Sequence, residues 1–142
     1  MSYPVPIDIR GVCPLFQVYD MPTSIRFYRD VLGFGVVSNA PVQAPDDFGW
    51  CLLRYADGTE IMLNTANDYG ERPDNPDPAR VAAHEDTCLY FGCPDVDGAY
   101  RHLRDKGLDV PEPKVAWYGM KQLYLKDPDG FGLCFQWRSE PT

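Results

Sequence analysis

The sequence predicts an α+β fold in which two βαβββ modules follow one another within a single domain. Three observations lead to this prediction. An apolar strand, an aspartate and an amphipathic helix occur twice, with 75 positions between Asp20 and Asp95. An Asp-Gly pair between two apolar segments also occurs twice, and one polar segment separates the copies. A repeat of this kind indicates a duplicated structural unit.

Each copy begins with an apolar strand that leads into a short helix. The strand segments are Cys13–Asp20 and Cys88–Asp95, and the helical patterns are Ser24–Leu32 and Ala99–Lys106. Asp20 and Asp95 can cap the free amides at the helix start, while Gly33 and Gly107 are typical helix stops. The apolar stripes are too short for helices that are stable alone, so each helix is expected to pack on a sheet.

The second half of each copy reads as strands joined by tight turns. Asp57-Gly58 and Asp129-Gly130 are hairpin signals, because glycine accepts the positive φ that such turns need. The predicted strands after them are Thr59 to Asn64 and Phe131 to Trp137, and weaker strands are Phe34 to Val37 and Val115 to Tyr118. One domain, 1–142, is therefore divided into modules 10–64 and 86–138. The Asp-, Asn-, Pro- and Arg-rich segment 65–85 is predicted to be a linking loop.

Composition narrows the functional classes. The chain has 142 residues, 44% of them hydrophobic, as in an ordinary globular domain. Its 13 basic and 21 acidic residues give a net charge of -8, which would repel a phosphate backbone and makes nucleic acid an unfavourable partner. The same charge suits a cationic ligand, although surface acidity that maintains solubility is an alternative reading.

The chain also carries signals about its location. No apolar run approaches the roughly 18 residues of a membrane span, and the start MSYPVPIDIR lacks the features of a secretory signal. The five cysteines are odd in number and have no paired spacing, so reduced thiols are expected. These features predict a cytoplasmic protein that does not associate with a membrane.

Several of these segments resemble one known family. Ser24-Ile-Arg-Phe-Tyr-Arg-Asp-Val-Leu-Gly-Phe34, Asp127-Pro-Asp-Gly-Phe131 and Cys88–Leu103 are similar to the vicinal oxygen chelate superfamily of glyoxalases, bleomycin-resistance proteins and extradiol dioxygenases. The resemblance covers Arg10 to Trp137 and is strongest for the bleomycin-resistance branch. It implies tandem modules that form a curved, cleft-bearing mixed sheet. It also implies a homodimer, because members often pair.

The resemblance identifies four positions that bind a metal in other members. Metal-dependent relatives hold one divalent ion with His or Gln, Glu, His and Glu, and the corresponding residues here are Cys13, Met62, Cys88 and Cys134. Sulfur does not suit Fe(II), Mn(II), Ni(II) or Mg(II), so neither a cofactor nor glyoxalase or dioxygenase activity is expected. In one reading, cysteine and methionine simply fill an apolar cavity. Alternatively, they form a soft site for Zn(II), Cd(II), Cu(I) or an arsenical.

Alternation along the strands predicts which side chains face the cleft, because residues two apart share a face. The predicted cleft residues are Cys13, Leu15, Gln17, Glu60, Met62, Asn64, Cys88, Tyr90, Cys134 and Gln136. The opposite face is apolar and is expected to pack beneath the helices, through Phe16, Val18, Ile61, Leu63, Leu89, Phe91, Leu133 and Phe135.

Aromatic residues outside the helices suggest how a ligand is held. Phe48, Trp50, Trp117 and Tyr118 lie near turns or strand ends, where they stack on a planar ligand or belong to the core or a dimer interface. Glu60 is the one carboxylate predicted in the cleft. It pairs with a ligand cation, acts as a base, or points to solvent.

Two functions follow from these residues. The leading hypothesis is a metal-free protein that binds a small molecule, such as an antibiotic or another aromatic or cationic compound. Its expected ligand-binding residues are Gln17, Trp50, Glu60, Asn64, Tyr90, Trp117 and Gln136. The alternative is a lyase, isomerase or thiol-dependent detoxifying enzyme that uses the Cys/Met cluster, which would require a base or cation beside a cysteine.

Overall fold

The computed structural model describes residues 5–42, 44–67 and 71–139. Three positions of the predicted linking loop, 68–70, and the first four residues of the chain lie outside these ranges. The strands are β1 (Leu15–Val18), β2 (Gly35–Asn39), β3 (Trp50–Arg54), β4 (Glu60–Thr65), β5 (Cys88–Gly92), β6 (Lys114–Val115), β7 (Met120–Lys126) and β8 (Gly132–Arg138). The helices are α1 (Met21–Ile25), α2 (Pro78–Ala83) and α3 (Val96–Asp105).

The strands form two four-stranded sheets with the same topology. Their orders are β1-β4-β3-β2 and β5-β8-β7-β6. In each sheet the first strand pairs in parallel with the last, and the remaining pairs are antiparallel. A parallel pair requires a crossover, and α1 or α3 begins each crossover. The predicted tandem of βαβββ modules is confirmed.

The helix signals act as the sequence predicts. Asp20 caps α1 by accepting from the Thr23 amide, and Asp95 caps α3 by accepting from the Gly98 amide. Gly33 and Gly107 end the helical segments with φ of 96° and 90°.

The first helix differs from the prediction in its second half. It begins at Met21 and continues after Ile25 as a π-helical turn, Arg26–Val31. A bond of 3.1 Å from the Leu32 amide to the Phe27 carbonyl shows the wider turn. A regular 3.6-residue periodicity does not predict this widening.

The linking segment is not the plain loop that its composition predicts. It contains α2, which Asp77 caps, and a 3₁₀ turn at His84–Asp86. The Asp-Pro pair at 77–78 is a helix-start signal that the surrounding Asp, Asn and Pro residues obscured.

The predicted strand Val115 to Tyr118 is also corrected, because β6 has two residues and Tyr118 lies in the turn before β7.

The core lies between the sheets and the helices, and residues of both modules contribute to it. Phe16, Val18, Ile61, Leu63 and Leu133 are buried, while Leu89, Phe91 and Phe135 pack against them as partly buried residues. The predicted core face of the strands is therefore confirmed. At the junction of the modules, the Phe131 ring stacks between Phe16, at a centroid distance of 4.0 Å, and His84, at 3.8 Å.

Two buried carboxylates join the modules. Asp127 and Asp129 belong to the turn between β7 and β8, and only 5% and 1% of their surfaces are exposed. Tyr28 of the first module donates to Asp127 at 2.6 Å, and the Tyr19 amide donates to Asp129 at 2.8 Å. The Asp129 and Phe131 amides also donate to Asp127 at 2.9 Å. These bonds satisfy carboxylates that would otherwise be costly to bury. We call Asp127, Asp129, Tyr19 and Tyr28 the inter-module latch.

The linking segment packs against the turn between β7 and β8. Arg80 of α2 lies 3.5 Å from the Asp129 carboxylate, and the protonated Nδ1 of His84 donates to the Asp129 carbonyl at 2.7 Å. Gly130 has φ of 88°, and a Cβ there would lie 2.8 Å from the Val81 carbonyl oxygen. Glycine is therefore required at this position for both backbone conformation and space.

The latch predicts a specific dependence of stability on pH. Burial raises the pKa of Asp127 to about 6, well above its unfolded value. The folded state therefore binds this proton more tightly, so the contribution of Asp127 to stability is complete below about pH 4 and is lost as the pH rises through 6. The free energy of unfolding of the wild type relative to Asp127→Asn should fall by roughly 3 kcal/mol between pH 3 and pH 7. Urea denaturation of both proteins at several pH values measures this difference, and a difference that rises with pH would contradict the assignment.

Candidate ligand-binding site

A groove of about 730 Å³ lies between the two modules. On one side it is lined by the start of the first strand segment and by the turn between β3 and β4, from Tyr55 to Ile61. On the other side it is lined by β5 and the residue after it, from Leu89 to Cys93. Since β5 pairs only with β8 within its sheet, its other edge borders the groove.

Aromatic rings cross the groove from one module to the other. Phe34 lies 5.1 Å from Tyr55 and 6.4 Å from Phe91, and Phe91 stacks on Phe135 at 5.3 Å. All four side chains line the groove, together with Leu32. Such a surface can bury a flat apolar ligand, with edge-to-face or stacked contacts to the rings.

The charged residues that line this groove are both carboxylates, Asp57 and Glu60. Glu60 forms an ion pair of 2.7 Å with Arg54, which lies outside the lining, and both side chains are substantially exposed. Asp57 accepts hydrogen bonds from the amide and hydroxyl of Thr59. A pair as exposed as Arg54 and Glu60 is weak, so a bound cation can compete for the glutamate.

The predicted ligand-binding residues separate into four places. Glu60 and Tyr90 both line the groove. Gln17, Asn64 and Trp50 lie side by side in one row of the first sheet, as the strand register shows.

The other two predicted residues belong to the second module. Gln136 lies on the second sheet, and Trp117 lies in the turn before β7 with 95% of its surface exposed. The structure therefore brings Glu60 and Tyr90 together and places the remaining five outside the groove. A ligand-binding role for all seven residues stays a prediction.

Gln122 and Tyr124 lie on the open face of the second sheet and are not among the residues predicted from the sequence. Gln122 donates to the Tyr118 hydroxyl at 2.8 Å and to the Gln136 side-chain oxygen at 2.9 Å. The hydroxyls of Tyr90 and Tyr124 are 3.1 Å apart. Alternation through Met120–Lys126 puts Gln122 and Tyr124 on the same face and could have identified both.

Two residues that the sequence associates with the cleft, Cys134 and Phe48, are buried. Cys134 has no exposed surface, because Tyr90 and Tyr124 flank it on the neighbouring strands. Phe48 is 8% exposed and belongs to the core, so the core alternative applies to this aromatic residue.

The sulfur residues do not fit the divalent ion that the family resemblance implies. Cys13 and Met62 belong to the first module, whereas Cys88 and Cys134 belong to the second. A thiol and thioether set lacks the oxygen and nitrogen donors that hard divalent ions prefer. Within the described ranges, no three His, Cys, Asp or Glu side chains are grouped closely enough to hold a metal.

The cysteines are also poorly suited to nucleophilic chemistry. All five are free thiols. Burial is the main cause that raises the pKa of each, to about 11 for Cys51, and the Glu60 carboxylate adds to the increase at Cys13. A raised pKa keeps a thiol protonated and unreactive at neutral pH.

Comparison with known proteins agrees with the observed architecture. Residues 13–135 match the sequence model of the Glyoxalase/Bleomycin resistance protein/Dioxygenase superfamily. No curated protein matches the chain.

Solved structures share the fold. TnmS3, an antibiotic binding protein from Streptomyces sp. CB03234, is 21% identical with a TM-score of 0.67, over 94% of this chain and 99% of TnmS3. A bleomycin-binding protein in complex with bleomycin is 21% identical with a TM-score of 0.65, over 93% of this chain and 100% of the other. A glyoxalase/bleomycin resistance protein/dioxygenase from Nocardioides is 18% identical with a TM-score of 0.66, over 97% and 89% of the two chains. Identities this low establish a common fold.

The donor set leads to a prediction about metal content. Protein purified under reducing conditions without chelator should contain far less than one equivalent of any transition metal, because no three His, Cys, Asp or Glu side chains of the described ranges are grouped closely enough to hold one. Plasma mass spectrometry of the wild type and of Cys88→Ser measures this. Near-stoichiometric zinc, copper or cadmium that is lost in Cys88→Ser would support the soft-metal alternative instead.

Proposed function

We propose that this chain, which belongs to the Glyoxalase/Bleomycin resistance protein/Dioxygenase superfamily, binds a small aromatic or cationic molecule between its modules and performs no chemistry on it. The observation that carries the proposal is the groove of about 730 Å³, to which both modules contribute. Its volume is within the usual range for small-molecule sites. The proposed ligand class includes antibiotics, because two proteins of the same fold are an antibiotic binding protein and a bleomycin-binding protein.

The lining supports this choice of ligand. Phe34, Tyr55, Phe91 and Phe135 provide apolar and π surfaces, and a cation over a ring face gains attraction from the ring quadrupole. Asp57 and Glu60 place negative charge at the same groove. A net charge of -8 attracts cations toward the whole molecule and disfavours anionic ligands.

The enzymatic alternative receives no comparable support. A thiol enzyme needs a thiolate stabilised by a cation or base, whereas burial raises the pKa of all five cysteines. We further propose that binding requires no cofactor, because sulfur occupies the family's metal positions.

We also propose a homodimer located in the cytoplasm. The open faces of both sheets expose apolar or aromatic residues, including Leu15, Tyr90 and Tyr124, that a second copy can cover. Five free thiols suit a reducing compartment. Among the residues that the structure describes, no helix has the length and apolar character to cross a membrane.

The binding proposal predicts that a groove residue controls affinity. Tyr55→Ala should weaken binding of an aromatic cation about tenfold, because it removes one ring of the groove. Isothermal titration against a panel of aromatic and cationic antibiotics at up to millimolar concentration identifies the ligand and then measures the variant.

A matched control is available for this experiment. Tyr118 is exposed to a similar degree, 48% against 42% for Tyr55, and lies outside the groove lining. Tyr118→Ala should leave the affinity within about twofold of the wild type. No binding by any member of the panel, or an equal loss in both variants, would refute the groove as the site.

The dimer is tested separately. Light scattering of the reduced protein at micromolar concentration should give twice the chain mass of 16.1 kDa. A mass of one chain that persists as the concentration rises would show that the exposed sheet faces do not pair.

A further inference from the structure

A second compartment of about 420 Å³ adjoins the groove near Cys93. The two compartments share four lining residues, Leu32, Tyr55, Cys93 and Phe135. The second compartment is completed by α3, through Ala99, His102 and Leu103. The four shared residues therefore lie at the border between the two compartments, and we call them the waist.

Carboxylates lie on both sides of this waist. Asp57 and Glu60 line the first compartment and not the second, whereas Asp95 lines the second and not the first. His102 is the one basic residue in either lining, and its Nε2 already donates to the Val31 carbonyl at 2.7 Å. Each compartment therefore has carboxylate side chains of its own, and the waist between the compartments includes the apolar residues Leu32 and Phe135.

We propose that the two adjoining compartments together recognise bis-cations, molecules in which two cationic groups are joined by an apolar spacer. This inference rests on the proposed binding function and specifies its ligand class. One cationic group lies near Asp57 and Glu60, the spacer contacts Leu32 and Phe135, and the second cationic group lies near Asp95. Once one end is bound, the other is held at a high effective concentration near its own carboxylate, provided that the spacer has the right length.

The rings of the groove strengthen this selection. Tyr55 lines both compartments, so its ring is within reach of a spacer or of either cationic group. Quaternary ammonium groups bind aromatic faces well because they are weakly hydrated. A single cation with an equally long apolar tail could satisfy only one of the two negative ends.

A spacer series tests the inference. Isothermal titration at low salt would compare α,ω-bis(trimethylammonium)alkanes of increasing length with alkyltrimethylammonium ions of equal carbon number. The affinity of the bis-cations should pass through a maximum at one spacer length and there exceed that of the matched monocation about fivefold.

Two variants test whether Asp95 binds the second cationic group of the ligand. Asp95→Asn keeps an efficient helix cap and removes the charge, so it should reduce affinity for the best bis-cation about fivefold. Asp97→Asn is the control on the same helix, because Asp97 is paired with Lys121 at 2.7 Å and lies outside both linings. It should leave the affinity within about twofold.

The outcomes separate this inference from the proposed function. Equal binding of bis-cations and monocations, with no effect of Asp95→Asn, would overturn the bis-cation inference while the groove remained a binding site. An equal loss in Asp95→Asn and Asp97→Asn would also overturn it, because general electrostatic attraction would then explain the affinity. Failure of both this series and the aromatic panel to bind would refute the binding function itself.

Discussion

The arrangement of the two modules depends on the buried carboxylates of the inter-module latch. Asp127 and Asp129 lie in the β7–β8 turn of the second module. They accept hydrogen bonds from the Tyr28 hydroxyl and the Tyr19 amide of the first module. A buried carboxylate that loses a partner is costly, so the turn has few alternative positions. The stacked rings of Phe16 and Phe131 lie at the same junction and add apolar contact. The latch therefore fixes the relative position of the two sheets.

The groove is a consequence of this fixed arrangement. Its walls come from the turn after β3 and from the free edge of β5, which belong to different modules. Neither module alone could form it. Two observations support the proposal that the chain binds a molecule without reacting with it. Sulfur stands at the positions where metal-dependent relatives have oxygen and nitrogen donors, and burial raises the pKa of the Cys13 and Cys134 thiols. The groove combines aromatic side chains with the carboxylates of Asp57 and Glu60, a lining suited to binding a small molecule.

The sequence predicts the fold well because its signals are local and duplicated. The caps Asp20 and Asp95, the Asp-Gly turns and the alternation of the strands all act within a few residues. The groove could not be predicted in this way, because it depends on how the modules meet. Alternation identified Glu60 and Tyr90, which line the groove, as cleft residues. Phe34 and Tyr55 line the groove only because of the way the modules pack together. The latch was missed for the same reason, since Tyr28 and Asp127 are 99 positions apart.

The most direct test of this account is to locate a bound ligand by NMR. Amide shifts of ¹⁵N-labelled protein would be followed while an aromatic cation is titrated. The account predicts that the largest changes occur in two segments on opposite walls of the groove, 55–61 and 89–93. Changes confined to Gln17, Asn64 and Gln136 would place the ligand on the open sheet faces and contradict a site between the modules.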